Sequence, residues 1–184
     1  MPDSSLTKRA LAQTMKGLMA REPFSKISVG EICEACGMSR KSFYYHFRDK
    51  YDLVNWIFDT EFLEGIQKCG FDSGISILGG MCRYFYEERA FYRSALEIEG
   101  QNSFRDHFTE VITPLMYSIA RELFSDREDE AFFTTFFSDA FLASIVRWLT
   151  KGTPMPAEDY VARLRNLVQG LSRLDQHKRE ADGN

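Results

Sequence analysis

The sequence predicts an all-α fold of about nine helices, an N-terminal three-helix helix-turn-helix domain followed by a larger C-terminal helical domain. Three observations carry that prediction. Apolar residues recur at three- and four-residue steps along nearly the whole chain. No stretch sustains the two-residue alternation of a strand, and no Asn-Gly or Asp-Gly turn joins β-rich runs, since Asp182-Gly183 lies in the tail. Helix caps and stop residues punctuate the chain at helical intervals.

The elements follow in order. A first helix is expected over about 6–21, with Leu11, Met15, Leu18 and Met19 on one face, and Pro23 ends it. Ser28-Val29-Gly30-Glu31 is a capping box, so a second helix starts at Val29. Gly37 stops it, because glycine takes the left-handed conformation at little cost. Ser39 caps a short third helix through His46, and Asp49 caps a fourth, over 50–69, that includes Leu53, Trp56, Ile57 and Phe62. Further helices are expected over 74–88, 90–98, 101–124, 127–150 and 156–174. Pro114 should kink or divide the third of these. Pro156 suits a first-turn position, and the last helix repeats Ala157, Tyr160, Val161, Leu164, Leu167, Val168, Leu171 and Leu174 at helical spacing. Residues 1–5 and roughly 176–184 are polar and expected to fray.

Composition and charge narrow the partners. With 184 residues and 44% hydrophobic content the chain has enough apolar matter for a core. Net charge is −4, but residues 1–50 hold nine Lys/Arg against five Asp/Glu, leaving about −8 on the rest. A basic head on an acidic body suits a polyanionic partner for the head. The four cysteines follow no signal-like segment, and no run approaches the ~18 apolar residues of a membrane span. A cytoplasmic protein with reduced thiols, making no membrane contact, is expected. Cys33 and Cys36 sit where two short helices must approach closely, so they read as packed thiols; a zinc site would need two further ligands, and Cys69 and Cys82 have no His nearby. No cofactor or metal is expected. There is no nucleophile–base pair, no phosphate-binding glycine motif (Gly79-Gly80 has no such context) and no nucleophile elbow, so an enzyme is not expected.

Residues 28–47 concentrate the chemistry. Val29, Ile32 and Cys33 face inward from the supporting helix, Met38 plugs the turn, and Phe43 and Phe47 anchor the next helix. The opposite face is left for a partner. Ser39, Arg40, Lys41 and Ser42 cluster at the helix N-terminus, the end that enters a DNA major groove in helix-turn-helix proteins, where Arg40 or Lys41 would read guanine edges. Ser28, Tyr44, Tyr45, His46 and Lys50 have the chemistry for phosphate contacts, as does the N-terminus of the fourth helix.

Helix-turn-helix followed by Phe43-Tyr44-Tyr45-His46-Phe47-Arg48-Asp49-Lys50 resembles the signature of the TetR/AcrR family of transcription regulators, over about residues 7–58. Position by position, the resemblance implies core anchors at Phe43 and Phe47, phosphate contacts at Tyr44, Tyr45 and Lys50, and base reading at Arg40, Lys41 and Ser42. Farther on, 91–93, 99–104 and 145–149 resemble a narrower group of that family, the DhaS-like regulators related to the activator of dihydroxyacetone kinase. The family implies a homodimer that reads a palindromic operator in double-stranded DNA. Its DNA-binding domain would be 1–50 and its effector and dimerisation domain 51–184, with 50–69 as the linking helix. The dimer would form through helices at about 127–150 and 156–174. An effector would shift the recognition helices through the fourth helix, making the protein a repressor in the usual case. The narrower resemblance implies the alternative of an activator or adaptor controlled by a protein partner.

The effector itself is left open, a small molecule or a protein. Phe85, Phe91, Tyr92, Phe104, His107, Phe108, Met116 and Tyr117 are the candidate pocket residues, with Tyr86, Phe132 and Phe136 in the wider aromatic set. The same spacing also describes plain core. Arg93, Glu97, Glu99 and Arg105 read as surface charges that would orient a polar ligand or a partner.

Overall fold

The computed structural model describes residues 4–69, 73–100, 103–123 and 130–182, excepting the side chains of 63, 65–69, 122 and 175–182. Among the described residues the protein is helical throughout: nine α-helices and one 3-10 turn, with no strand. They are α1 (Ser4–Met19), the 3-10 turn (Phe24–Lys26), α2 (Val29–Ala35), α3 (Arg40–His46), α4 (Lys50–Cys69), α5 (Gly74–Glu87), α6 (Arg89–Leu96), α7 (Phe104–Leu123), α8 (Glu130–Thr150) and α9 (Ala157–Asp182). The Cys69 side chain, Gln101 and Asn102, and the expected helix start at 127–129, lie outside what is described.

Most ends fall where local chemistry puts them. Ser28 Oγ accepts from Glu31 N, and the Glu31 carboxylate accepts in return from Ser28 N at 2.7 Å, a complete capping box. Gly37 has φ +67, and Met38 N donates to Cys33 O at 2.8 Å, closing α2 with a left-handed turn. Asp52 N donates to Asp49 Oδ1 at 2.8 Å at the head of α4. Three expectations change. Pro114 lies inside α7 without dividing it, so the missing proline N–H is accommodated within one helix. The polar tail continues α9 to Asp182 instead of fraying from 176. By length and composition alone α8 is apolar enough to cross a membrane, which the sequence reading did not anticipate.

The chain forms two compact units, residues 1–64 with 88–108, and residues 65–87 with 109–184. This division does not fall at residue 50. α1 packs on α2, α3 and α6, which draws 88–108 into the first unit. The core there joins Leu11, Met15, Ile32, Phe43, Leu53 and Ile57, all essentially without solvent contact. Phe58 stacks on Phe62 at 5.1 Å and meets Phe104 and Phe108 edge-on at 5.4 and 5.6 Å.

In the second unit α5 packs against α9. A side chain at Gly79 would lie 3.1 Å from Val161, so the glycine allows that approach. Trp148 lies between two rings, Tyr160 at 4.1 Å and Tyr86 at 5.8 Å, both nearly parallel to it. Its indole N–H donates to Met155 O at 2.9 Å. Tyr160 shares a 2.7 Å hydrogen bond with Ser144, and burial raises its phenol to about 12. α8 is unusual in its facing. Thr134 and Ser138 are buried and donate to carbonyls one turn back, whereas Phe132 and Phe136 remain 64% and 54% exposed.

Candidate nucleic-acid interface

The site is built on two seven-residue helices held by caps and by aromatic anchors. Phe43 is fully buried and Phe47 nearly so, and their rings lie 5.8 Å apart. Phe47 also meets Trp56 of α4 at 5.6 Å, and the Lys8 ammonium lies within 6 Å of both rings. These contacts fix the rotation of α3. Arg40, Lys41, Tyr44 and Tyr45 therefore turn outward together, with Tyr45 82% exposed. Ser42 and His46 flank that arc, half-buried, and the edge of Tyr45 rests on the His46 ring at 4.9 Å.

Ser28 and Ser39 cap α2 and α3. Each hydroxyl accepts one backbone N–H, from Glu31 and Ser42 respectively, and keeps its own O–H to donate outward. Neither Arg40 nor Lys41 forms an ion pair within the described residues.

Lys50 is engaged within the chain. Its ammonium donates to Phe24 O and Ile27 O, both at 2.7 Å, and lies 4.2 Å from the Phe24 ring centroid. Burial lowers its pKa, and Glu31 partly opposes that shift. Lys50 thus pins the turn before α2 to the head of α4. No sequence signal announces this clamp, because the two carbonyls belong to a short turn with no periodic pattern. Arg48, 84% exposed and held loosely by Asp52 at 3.8 Å, is an outward cation that the sequence reading passed over.

Cys33 is buried, which raises its thiol pKa, and Cys36 Sγ donates to Cys33 O at 3.6 Å. Both thiols are packed into the α2 terminus. A deeper ionic cluster ties the unit together: Lys16 pairs with Glu61 at 3.1 Å and with Glu88 at 2.9 Å. Burial raises the Glu61 pKa against the opposing pull of Lys16.

The chain also matches known protein families. A model described as bacterial regulatory proteins of the tetR family matches residues 14–57, and one described as a transcriptional regulator C-terminal region matches residues 75–170. The chain belongs to the TetR family. As a TetR-family protein it is a transcription regulator, and its relatives agree. The HTH-type dhaKLM operon transcriptional activator DhaS of Lactococcus lactis subsp. lactis is 29% identical over 103 residues, 54% of each chain, so the match spans about half the length of that relative. Among solved structures, a dihydroxyacetone kinase operon activator DhaS superposes with a TM-score of 0.71 at 21% identity, over 92% of this chain and 97% of that one. A TetR transcriptional regulator from Streptococcus agalactiae 2603V superposes at 0.69 and 20% identity, over 90% of this chain and 94% of that one. At these identities the superpositions speak for the fold.

The candidate effector residues divide between the two units. Phe91, Tyr92, Phe104, His107 and Phe108 lie in the first unit, and Phe85, Met116 and Tyr117 in the second. Phe85, Phe91, Tyr92, Phe104 and Phe108 are buried core. His107 Nε2 is 2.7 Å from Asp59 Oδ1, so its ring is engaged in a side-chain pair. Tyr117 is 42% exposed beneath the Arg121 guanidinium. Only Met116 borders the apolar cavity of the second unit, about 120 Å3, whose walls include Leu78, Ile119, Phe141, Leu164 and Leu171. Most of the candidate aromatics are packing, and the cavity lies partly among the stripe leucines of α9, which the sequence marked only as a helix face.

Proposed function

We propose that this regulator binds double-stranded operator DNA as a homodimer, laying α3 in the major groove. The observation that carries the reading is the outward arc of Arg40, Lys41, Tyr44 and Tyr45 on a helix locked by Phe43 and Phe47. Arg40 and Lys41 supply base-edge donors, while Tyr44, Tyr45, His46 and the hydroxyls of Ser28, Ser39 and Ser42 supply phosphate contacts. Residues 1–50 act as the DNA-binding module and 51–184 as the control and dimerisation module, with α4 carrying the chain between them. The dimer reading is supported by α9, where Leu167 is 56% exposed, and by the outward phenylalanines of α8. A palindromic operator follows from a two-fold dimer.

The effector acts on the second module and biases the spacing of the two α3 helices. The apolar cavity there compares with cavities of about 150 Å3 that take up benzene, so a ligand seated in it would be small. Repression is the expected direction. Activation, with a protein partner in place of a ligand, is the second reading; the Lactococcus relative, a transcriptional activator, favours activation. Action is in the cytoplasm, on DNA, with no membrane role.

Selection of bound sequences from a random DNA pool tests the reading. A palindrome should emerge, and its affinity should fall steeply with salt. Arg40→Ala should relax preference at one base pair of each half-site, and Tyr45→Ala should weaken all sequences about equally. Affinity independent of ionic strength would refute it. Transcription from a reporter carrying the selected sequence then distinguishes repression from activation.

A further inference from the structure

A second cleft, of about 350 Å3, lies within the first unit, between the 3-10 turn and the C-terminal end of α6. Its size falls in the range of small-molecule sites, roughly 300–1,000 Å3. Its chemistry is one-sided. Pro23, Phe24 and Tyr51 supply apolar wall, and the Phe24 and Tyr51 rings meet edge to face at 4.8 Å. Glu97 and Glu99 supply two exposed carboxylates, and among the described residues neither enters an ion pair or a side-chain hydrogen bond. Ser94 Oγ already donates to Met19 O, so it offers the cleft only lone pairs. The end of α6 adds the negative pole of a helix, with Glu97 as its C-cap. No Lys, Arg or His is among the lining residues.

Carboxylates, a helix C-terminus and aromatic rings all favour positive charge. The Phe24 ring already carries one such contact, from the Lys50 ammonium, but that charge is committed to the Phe24 and Ile27 carbonyls. We infer that this cleft binds a small organic cation, an amine or guanidinium on an apolar body, with its charge on Glu97 and Glu99 and its body against Phe24 and Tyr51. An occupant would touch the turn that leads directly into Ser28, the cap of α2, and also the first turn of α4. It would therefore bear on the frame that holds the recognition helix. That consequence rests on the operator-binding reading, whereas the binding itself does not.

Isothermal titration calorimetry on the full chain, without DNA, tests the site. The probes are phenethylamine and agmatine, with 2-phenylethanol as an uncharged counterpart. Both amines should bind and 2-phenylethanol should not. Glu97→Gln combined with Glu99→Gln should weaken the amines at least tenfold while circular dichroism remains unchanged, since both side chains are exposed. Absence of amine binding up to millimolar concentration would overturn the inference. So would equal affinity in the double variant, which would place the amines elsewhere on an acidic surface. Because no DNA is present, either failure is separate from a failure of operator binding.

Discussion

Lys41 and Lys50 carry the same charge on neighbouring helices and do opposite things. Lys41 is exposed, whereas Lys50 holds two carbonyls. Lys50→Met should cost about 2 kcal/mol, because it strips a charged donor from two acceptors. Lys41→Met should stay within about 0.5 kcal/mol. Urea denaturation of both variants checks this, and equal stabilities would mean that the two carbonyl contacts do not hold the fold. Gly30 has a related role. A side chain there would lie 2.5 Å from the Arg40 guanidinium, which therefore rests over α2. Gly30→Ala should be tolerated or slightly stabilising, because alanine favours the helix by up to about 1 kcal/mol and the guanidinium is free to swing away. It should nevertheless change base preference in a pool selection by re-aiming Arg40. Two carboxylates make opposite pH predictions. The hydrogen bonds with Ser28 lower the folded pKa of Glu31, so its contribution is present above its unfolded pKa and fades as pH falls through the folded value. Burial raises that of Glu61, so its contribution is present below the unfolded pKa and is lost as pH rises through the folded value. Glu31→Gln should flatten the acid loss of stability, and Glu61→Gln should steepen it, in melts across the acid range.

At the scale of elements, what was legible in the sequence was local. The starts of α2, α3 and α4 follow from Ser28, Ser39 and Asp49, because a cap and its target N–H are three residues apart. Ser28→Ala should cost about 1 kcal/mol in thermal or urea melts. What was not legible depended on partners distant in the chain. The Lys50 clamp needs an irregular turn, and the sorting of aromatics into core or cavity needs the packing of several helices. The extension of α9 to Asp182 carries no apolar stripe to announce it. The Lys16 cluster is likewise long-range, and it joins α1 and α4 to the residue that precedes α6. Lys16→Met should destabilise by about 2 kcal/mol, since it leaves two carboxylates facing one another, one of them largely buried.

For the whole molecule, the outward face of α8 sets the test of assembly. Phe132 and Phe136 stack 6.0 Å apart in solvent, while the same helix buries Thr134 and Ser138. Phe136→Asp combined with Leu167→Asp should shift sedimentation from dimer to monomer and lower operator affinity, with little change in helix content. A wild-type chain that sediments as a monomer at micromolar concentration would end the dimer reading. On the operator-binding reading the basic head and acidic body follow a division of labour, with the head turned to phosphates.

The buried anchoring of α3 has one more consequence, which concerns descent. Phe43 and Phe47 keep the helix in place from beneath, so residues 40, 41, 44 and 45 can be rewritten without disturbing what holds them. A duplicated gene could then drift to a new target through steps that leave folding untouched, each mutant being as sturdy as its parent. A library randomised at those four positions should melt within a few degrees of the original while scattering widely in the sequences it selects.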